Sequence, residues 1–139
     1  MNNTKTDGSS FRAEKKTADT PVVYMTENIS PEGLMKAYQA LGWKTEGKVA
    51  VKLSTGEPPN SNYLRPELIA DLVKSLDGTI VECNTAYNGS HSETAMHYQV
   101  AEDHGFTKIA DFQILDEDGS LSIPVEGRYL SSGSGSQAV

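Results

Sequence analysis

The sequence predicts an α/β fold: an open, mostly parallel sheet in three layers, doubly wound in the manner of Rossmann-like and flavodoxin-like proteins. Three observations predict it. Short apolar runs alternate with amphipathic segments of helical period between residues 21 and 130. The runs 48–53 (KVAVKL) and 79–84 (TIVECN) are short and strongly apolar, as parallel strands covered on both faces are. The segments between them are long enough for helical crossovers, which make successive strands parallel and right-handed in connection.

The elements follow in order. Residues 21–26 (PVVYMT) read as a short apolar strand. Ser30, Pro31 and Glu32 then open a helix: a hydroxyl to cap it, a proline suited to its first turn, and an acid at its positive end. Leu34, Tyr38 and Leu41 give that helix an apolar face, Gly42 ends it in a left-handed cap, and Trp43 is expected to pack at its end. The second strand, 48–53, leads into a long loop, 54–64. Pro66 starts the second helix, whose buried stripe is Leu68, Ile69, Leu72, Val73 and Leu76, and Gly78 is expected to close it. The third strand, 79–84, leads into a polar loop, 85–91. A third helix begins near Ser92, with Ser90 and Glu93 at capping-box spacing, and stops at Gly105. A fourth strand is expected over 109–115, a turn over 116–119 and a short strand over 121–125.

The ends differ from the middle. Residues 1–20 are polar with one aromatic, Phe11, and bury too little to offset chain entropy, so a disordered tail is expected. Residues 131–139 (SSGSGSQAV) read as a flexible tail. The domain is therefore expected over 21–130. The whole chain, with 37% hydrophobic and 22% charged residues, is polar for a globular protein but not disordered overall. A net charge of −7 argues against nucleic acid as a partner, which would require a basic stripe. No run is long and apolar enough for a membrane span, and 1–20 has no secretory apolar core, so a cytoplasmic location is expected. The one cysteine, Cys83, excludes an internal disulfide and any all-cysteine zinc or iron–sulfur site within one chain. It reads as a buried structural thiol.

In an open parallel sheet a ligand sits beyond the carboxyl ends of the strands. Here those ends run into the two polar loops. Ser54, Thr55, Asn60, Asn84, Thr85, Tyr87 and Ser90 are the candidates to hold a small polar or anionic ligand there. Gly, Pro, Asn and Ser also make turns for their own sake, and both readings stand. Lys52 and Glu82 are charges inside otherwise apolar strands. They form either an ion pair between neighbouring strands or a catalytic pair, with Glu82 the acid/base and Lys52 its electrostatic partner. His91, Glu93 and His97 form a second cluster. Glu93 and His97 are four apart on one helix face, and with His91 they make a mixed nitrogen and oxygen metal set. The alternative places His97 and His104 on a solvated face.

The stretches GKVAVKLSTGEPPNSNYLRPELI and GTIVECNTAYNGSHSETAMHYQVAEDHGF carry a resemblance. They resemble the N-terminal part of the domain-of-unknown-function 362 family, over about residues 21–130. The matching positions are Lys52, Ser54, Thr55, Gly56, Glu57, Asn60, Tyr63, Leu64, Glu82, Asn84, Thr85, Tyr87 and Gly89; the resemblance implies no role for any of them. Many members of that family carry a ferredoxin-like iron–sulfur module, and members usually continue into a later glycine-rich stretch with a K-G-H core. Neither feature occurs here, so no cofactor is expected in this chain. The expectation is of the front half of a longer protein, holding one wall of a shared site. Three functions are then open: a ligand-binding module, a metal-dependent enzyme, or an inactive fragment that needs its C-terminal half or a partner chain, including a second copy of itself.

Overall fold

The computed structural model describes residues 21–124, 126 and 132–136. Its centre is a small open sheet of three parallel strands, β1 (Val49–Lys52), β2 (Gly78–Glu82) and β3 (Phe112–Ile114), in the order β1-β2-β3. Val51 lies beside Ile80, and Ile80 beside Phe112. Three helices accompany it: α1 (Pro31–Ala40), α2 (Pro66–Ser75) and α3 (Thr94–Asp103). The α/β class is as expected, with α2 and α3 as the crossovers between successive parallel strands.

Both crossovers pack on one face of the sheet, as right-handed connections in a sheet growing in one direction require. The core on that face is Ile69 and Val73 of α2, Ile80 of β2, and Phe106. Leu34 of α1 and Val51, Leu53, Tyr63 and Phe112 pack around it. Strand alternation turns Ile80 and Glu82 toward the helices and Val81 and Cys83 away from them. On the far face Ala50, Lys52, Cys83 and Gln113 are exposed, and Val81 is buried.

Local chemistry explains the helix ends. The Ser30 hydroxyl accepts a hydrogen bond from the Gly33 N–H at 3.1 Å, and Pro31 needs no such partner. Gly33 is itself obligatory, because a Cβ there would stand 2.0 Å from the Asn28 carbonyl oxygen. The end of α2 departs from expectation. Asp77, not Gly78, takes the left-handed conformation (φ 48°), and Gly78 opens β2. Gly78 fits because a Cβ there would approach Val51 Cγ2 to 3.0 Å.

Several other expectations are corrected. Residues 21–26 form no strand, and Val23 and Met25 are exposed; among the described residues no strand pairs with them, so apolar composition alone does not make one. Trp43 is 65% exposed rather than packed at the end of α1. Cys83 is exposed rather than buried, since it points to the face that the helices leave open. The start of α3 is split: a 3-10 turn at Ser90–Ser92 precedes it, Glu93 is its N-cap residue, and no side chain caps it. The expected fourth strand, 109–115, shrinks to β3, because Ile109 is still in right-handed helical conformation as it closes a 3-10 turn over Phe106–Lys108 and Ala110 bends the chain. Finally, β4 (Ser120–Pro124) pairs antiparallel with β5 (Ser132–Ser136) in a separate two-stranded sheet. A strand therefore stands where the Ser/Gly composition suggests a flexible tail. The expectation for 1–20 falls outside the described residues.

Candidate metal centre

Glu82 is the last residue of the central strand, and β1 delivers Thr55 beside it just beyond its own carboxyl end. Thr55 is fully buried. Its N–H and its hydroxyl both donate to Glu82 Oε2, at 3.0 and 2.9 Å. Its carbonyl accepts from His104 Nδ1 at 2.7 Å, and that imidazole stacks on Tyr63 with ring centroids 3.9 Å apart. Three polar groups of one residue are thus satisfied by buried or half-buried partners, which fixes the Glu82 carboxylate against the sheet. Gly56 makes the turn possible: its φ is +88°, and a Cβ there would lie 2.4 Å from Tyr63 Cβ.

Two imidazoles complete the cluster. His97 projects from α3, His91 from the 3-10 turn, and their rings stack with centroids 4.0 Å apart. The donor atoms that Glu82, His91 and His97 offer all lie within 4.8 Å of one another, and all three residues are buried.

The hydrogen bonds decide which ring nitrogens carry protons. The Asn84 amide donates to Thr94 Oγ1 at 2.8 Å, so its Oδ1 faces His97 Nδ1 at 3.2 Å as an acceptor. His97 therefore donates through Nδ1, and Nε2 of a neutral ring carries a lone pair. That Nε2 lies 3.3 Å from Glu82 Oε2, but no hydrogen bond is aligned there, and it has no other partner. The same logic holds for His91. Its Nε2 lies 3.4 Å from the Thr55 hydroxyl, whose own proton is directed at Glu82. His91 Nδ1 then faces two carboxylates without a proton: Glu57 Oε2 at 3.7 Å and Glu82 Oε1 at 3.9 Å.

The electrostatics agree. Burial, then the neighbouring His97, push the His91 pKa down against the attraction of Glu82 and Glu57, which keeps the ring neutral. Burial pushes the Glu82 carboxyl up, but His97, where its Nε2 carries a proton, and the two Thr55 donors outweigh it, leaving it below its ordinary value. The centre thus holds a carboxylate and two stacked imidazoles whose donor atoms lie close together in a buried space. Ligands around a tetrahedral ion with bonds of about 2.0 Å stand roughly 3.3 Å apart. The 3.3 Å between His97 Nε2 and Glu82 Oε2 is of that size; His91 Nδ1 stands 3.9 Å from the other oxygen, so the set is wider than a closed tetrahedral site.

The structure brings some of the expected site residues together and separates others. His91 and His97 come together, and Glu82 takes the place expected for Glu93. Glu93 is exposed at the start of α3, because the 3-10 turn rotates it away from the face that carries His97. The expected Lys52–Glu82 pair does not form. Lys52 lies beside Val81, on the opposite face from Glu82, and donates to the Leu53 carbonyl at 3.1 Å. Of the expected ligand-holding residues, Thr55 and Asn84 enter the centre by bonding Glu82 and His97. Asn60 and Thr85 instead close their own loops, through Asn62 N–H to Asn60 Oδ1 and Thr85 Oγ1 to the Tyr87 carbonyl. Ser54 and Tyr87 are exposed. Ser90 contributes its N–H to Glu57. Sequence reasoning missed Glu57 and His104 as parts of the site. The signal for Glu57 was a single charge in the neutral 54–64 loop.

The fold and this centre define an α/β protein with a buried carboxylate–imidazole cluster at the carboxyl edge of a parallel sheet. The chain belongs to the family described as Domain of unknown function (DUF362), which matches residues 49–137. The match includes β1 through β3 and all of Thr55, Glu57, Glu82, His91 and His97, and leaves α1 outside it. No curated protein and no solved structure matches the chain. The iron–sulfur cluster that the resemblance implies for other members does not fit these residues, because the single thiol, Cys83, is exposed on the opposite sheet face from the centre. No helix among the described residues is long and apolar enough to cross a membrane.

Proposed function

We propose that this chain is a metal-binding α/β domain that holds one divalent transition-metal ion through Glu82, His91 and His97. The observation that carries this reading is His97 Nε2, a fully buried nitrogen with no hydrogen-bond partner, set against an ionised carboxylate. Buried polar atoms are satisfied almost without exception, and an ion between Nε2 and Glu82 satisfies this one. Two imidazoles and a carboxylate suit zinc, ferrous iron or cobalt; calcium and magnesium prefer all-oxygen sets. Asn84 holds His97 and Thr55 holds Glu82, the outer-shell support that such ligands ordinarily have.

Three protein ligands leave a coordination position for water or a small polar ligand. The polar loops 54–64 and 85–91 border that position, which supports binding of a small ligand at the strand ends. A doubly wound, Rossmann-like arrangement and a cytoplasmic setting belong to the same proposal. The former requires a second layer over the exposed face of Ala50, Lys52, Cys83 and Gln113.

The test is titration of chelator-treated protein with zinc and cobalt, followed by calorimetry and by cobalt absorbance. The expected result is one ion per chain. At a free concentration one hundred times Kd, binding stabilises the fold by about 2.7 kcal/mol. His97→Ala is expected to weaken binding by about 100-fold or more. A chain that takes up neither ion refutes the proposal.

A further inference from the structure

One carboxylate stands at the centre without belonging to the ligand group. Glu57 comes from the 54–64 loop, and its side chain is about one-third exposed (36%), against 4% for His91 and 6% for Glu82. It therefore sits where the buried cluster meets solvent. Its place is held from two sides. The Ser90 N–H donates to Oε1, and the His91 N–H donates to Oε2 at 3.3 Å. Gly89 leaves room for it, since a Cβ there would lie 2.9 Å from Oε1. The same Oε2 is 3.7 Å from His91 Nδ1.

A carboxylate held at the solvent edge of a buried ligand group stands where a general base acting on water bound there would stand. We propose that Glu57 accepts the proton of a water on the open position of this centre, and that the centre hydrolyses neutral acyl compounds, esters or amides. The proposal rests on the metal-binding reading above. The step balances without any redox change. The water oxygen bonds to the acyl carbon as its proton passes to Glu57. The bond from that carbon to the leaving oxygen or nitrogen then breaks, and Glu57 returns the proton to the leaving group. Charge favours neutral substrates over phosphoesters: the chain carries −7, and two carboxylates already flank the position.

The experiment uses the full chain loaded with zinc, 4-nitrophenyl acetate as the probe, and zinc occupancy measured on the same samples. Wild type is expected to exceed both the metal-free chain and free zinc. Glu57→Gln is expected to bind zinc within about threefold of wild type while its rate falls by about 10²- to 10⁴-fold. Because Glu57 also holds the 3-10 turn, Glu57→Ala is assayed with added formate. Partial restoration of the rate marks a missing base, which a purely structural role does not explain. A Glu57→Gln rate within threefold of wild type overturns the proposal, as does a 100-fold loss of zinc, which would make Glu57 a ligand. Wild type that binds zinc without turnover overturns this inference alone. Wild type that binds no zinc overturns the centre itself.

Discussion

Replacing Thr55 with valine tests how the sheet holds its buried charge. Valine keeps the shape of a fully buried side chain but removes the hydroxyl that donates to Glu82 Oε2 at 2.9 Å. The backbone N–H, at 3.0 Å, stays. A hydrogen bond to a charged group contributes about 1.5–3 kcal/mol net. An added buried methyl returns up to about 0.8 kcal/mol. The expected loss is therefore about 1–2 kcal/mol at pH 7, a sizeable part of the 5–15 kcal/mol typical of a domain. The pH dependence is the sharper part. Glu82 has a folded pKa below its unfolded value, so its contribution is present above the unfolded value and is lost as pH falls through the folded one. Thr55→Val removes one of the donors that favour the charged form, so the folded pKa rises toward the unfolded value. The gap between wild type and variant should therefore narrow as pH is lowered from 7 toward 4. The assay is urea unfolding of the metal-free chain followed by far-UV circular dichroism. Trp43 is too exposed, at 65%, to report on the core by fluorescence. A variant as stable as wild type at pH 7, or a gap that does not change with pH, refutes the reasoning.

Further expectations follow from the same geometry. Burial holds the His91 pKa down in the folded chain, so acidification protonates the unfolded chain first, and stability falls as pH drops below about 6.5. His91→Gln should flatten the decline between pH 7 and 5, measured as the urea midpoint across that range. Gly56→Ala places a Cβ 2.4 Å from Tyr63 at φ +88° and should cost more than about 2 kcal/mol, read from the same unfolding curves. Phe106→Ala empties a fully buried position in the core and should cost about 3–5 kcal/mol. A loss below 1 kcal/mol would mean that Phe106 does not pack as described.

Much of the local structure was legible because its causes are local. Ser30 and Pro31 start α1, Pro66 starts α2, and the stripe of Ile69 and Val73 faces the core, all through interactions within a few residues in sequence. The failures share a cause as well. PVVYMT carries the composition of a strand, but a strand exists only through a neighbour, and composition does not supply one. Ser90 and Glu93 have capping-box spacing, yet with the 3-10 turn before it α3 takes Glu93 as its N-cap residue, and no side chain caps it. A Ser/Gly run looks flexible in isolation, and pairing with Ser120–Pro124 makes it a strand.

The centre shows the same division. The α/β order was legible along the chain, as were two histidines close in sequence and the oddity of a glutamate in an apolar strand. Alternation with a period of two also put Glu82 on the face of Ile80. Only the tertiary structure decided which acid joined the imidazoles. Register set Lys52 beside Val81 and so removed it from Glu82. The packing of α3 against the sheet brought His97 to Glu82, and the loop after β1 delivered Thr55 and Glu57 from 27 and 34 residues away from their partners. Spacing along a helix fixes neighbours within one element. Which elements meet depends on strand register and on the burial of side chains distant in sequence, and that information belongs to the folded chain as a whole.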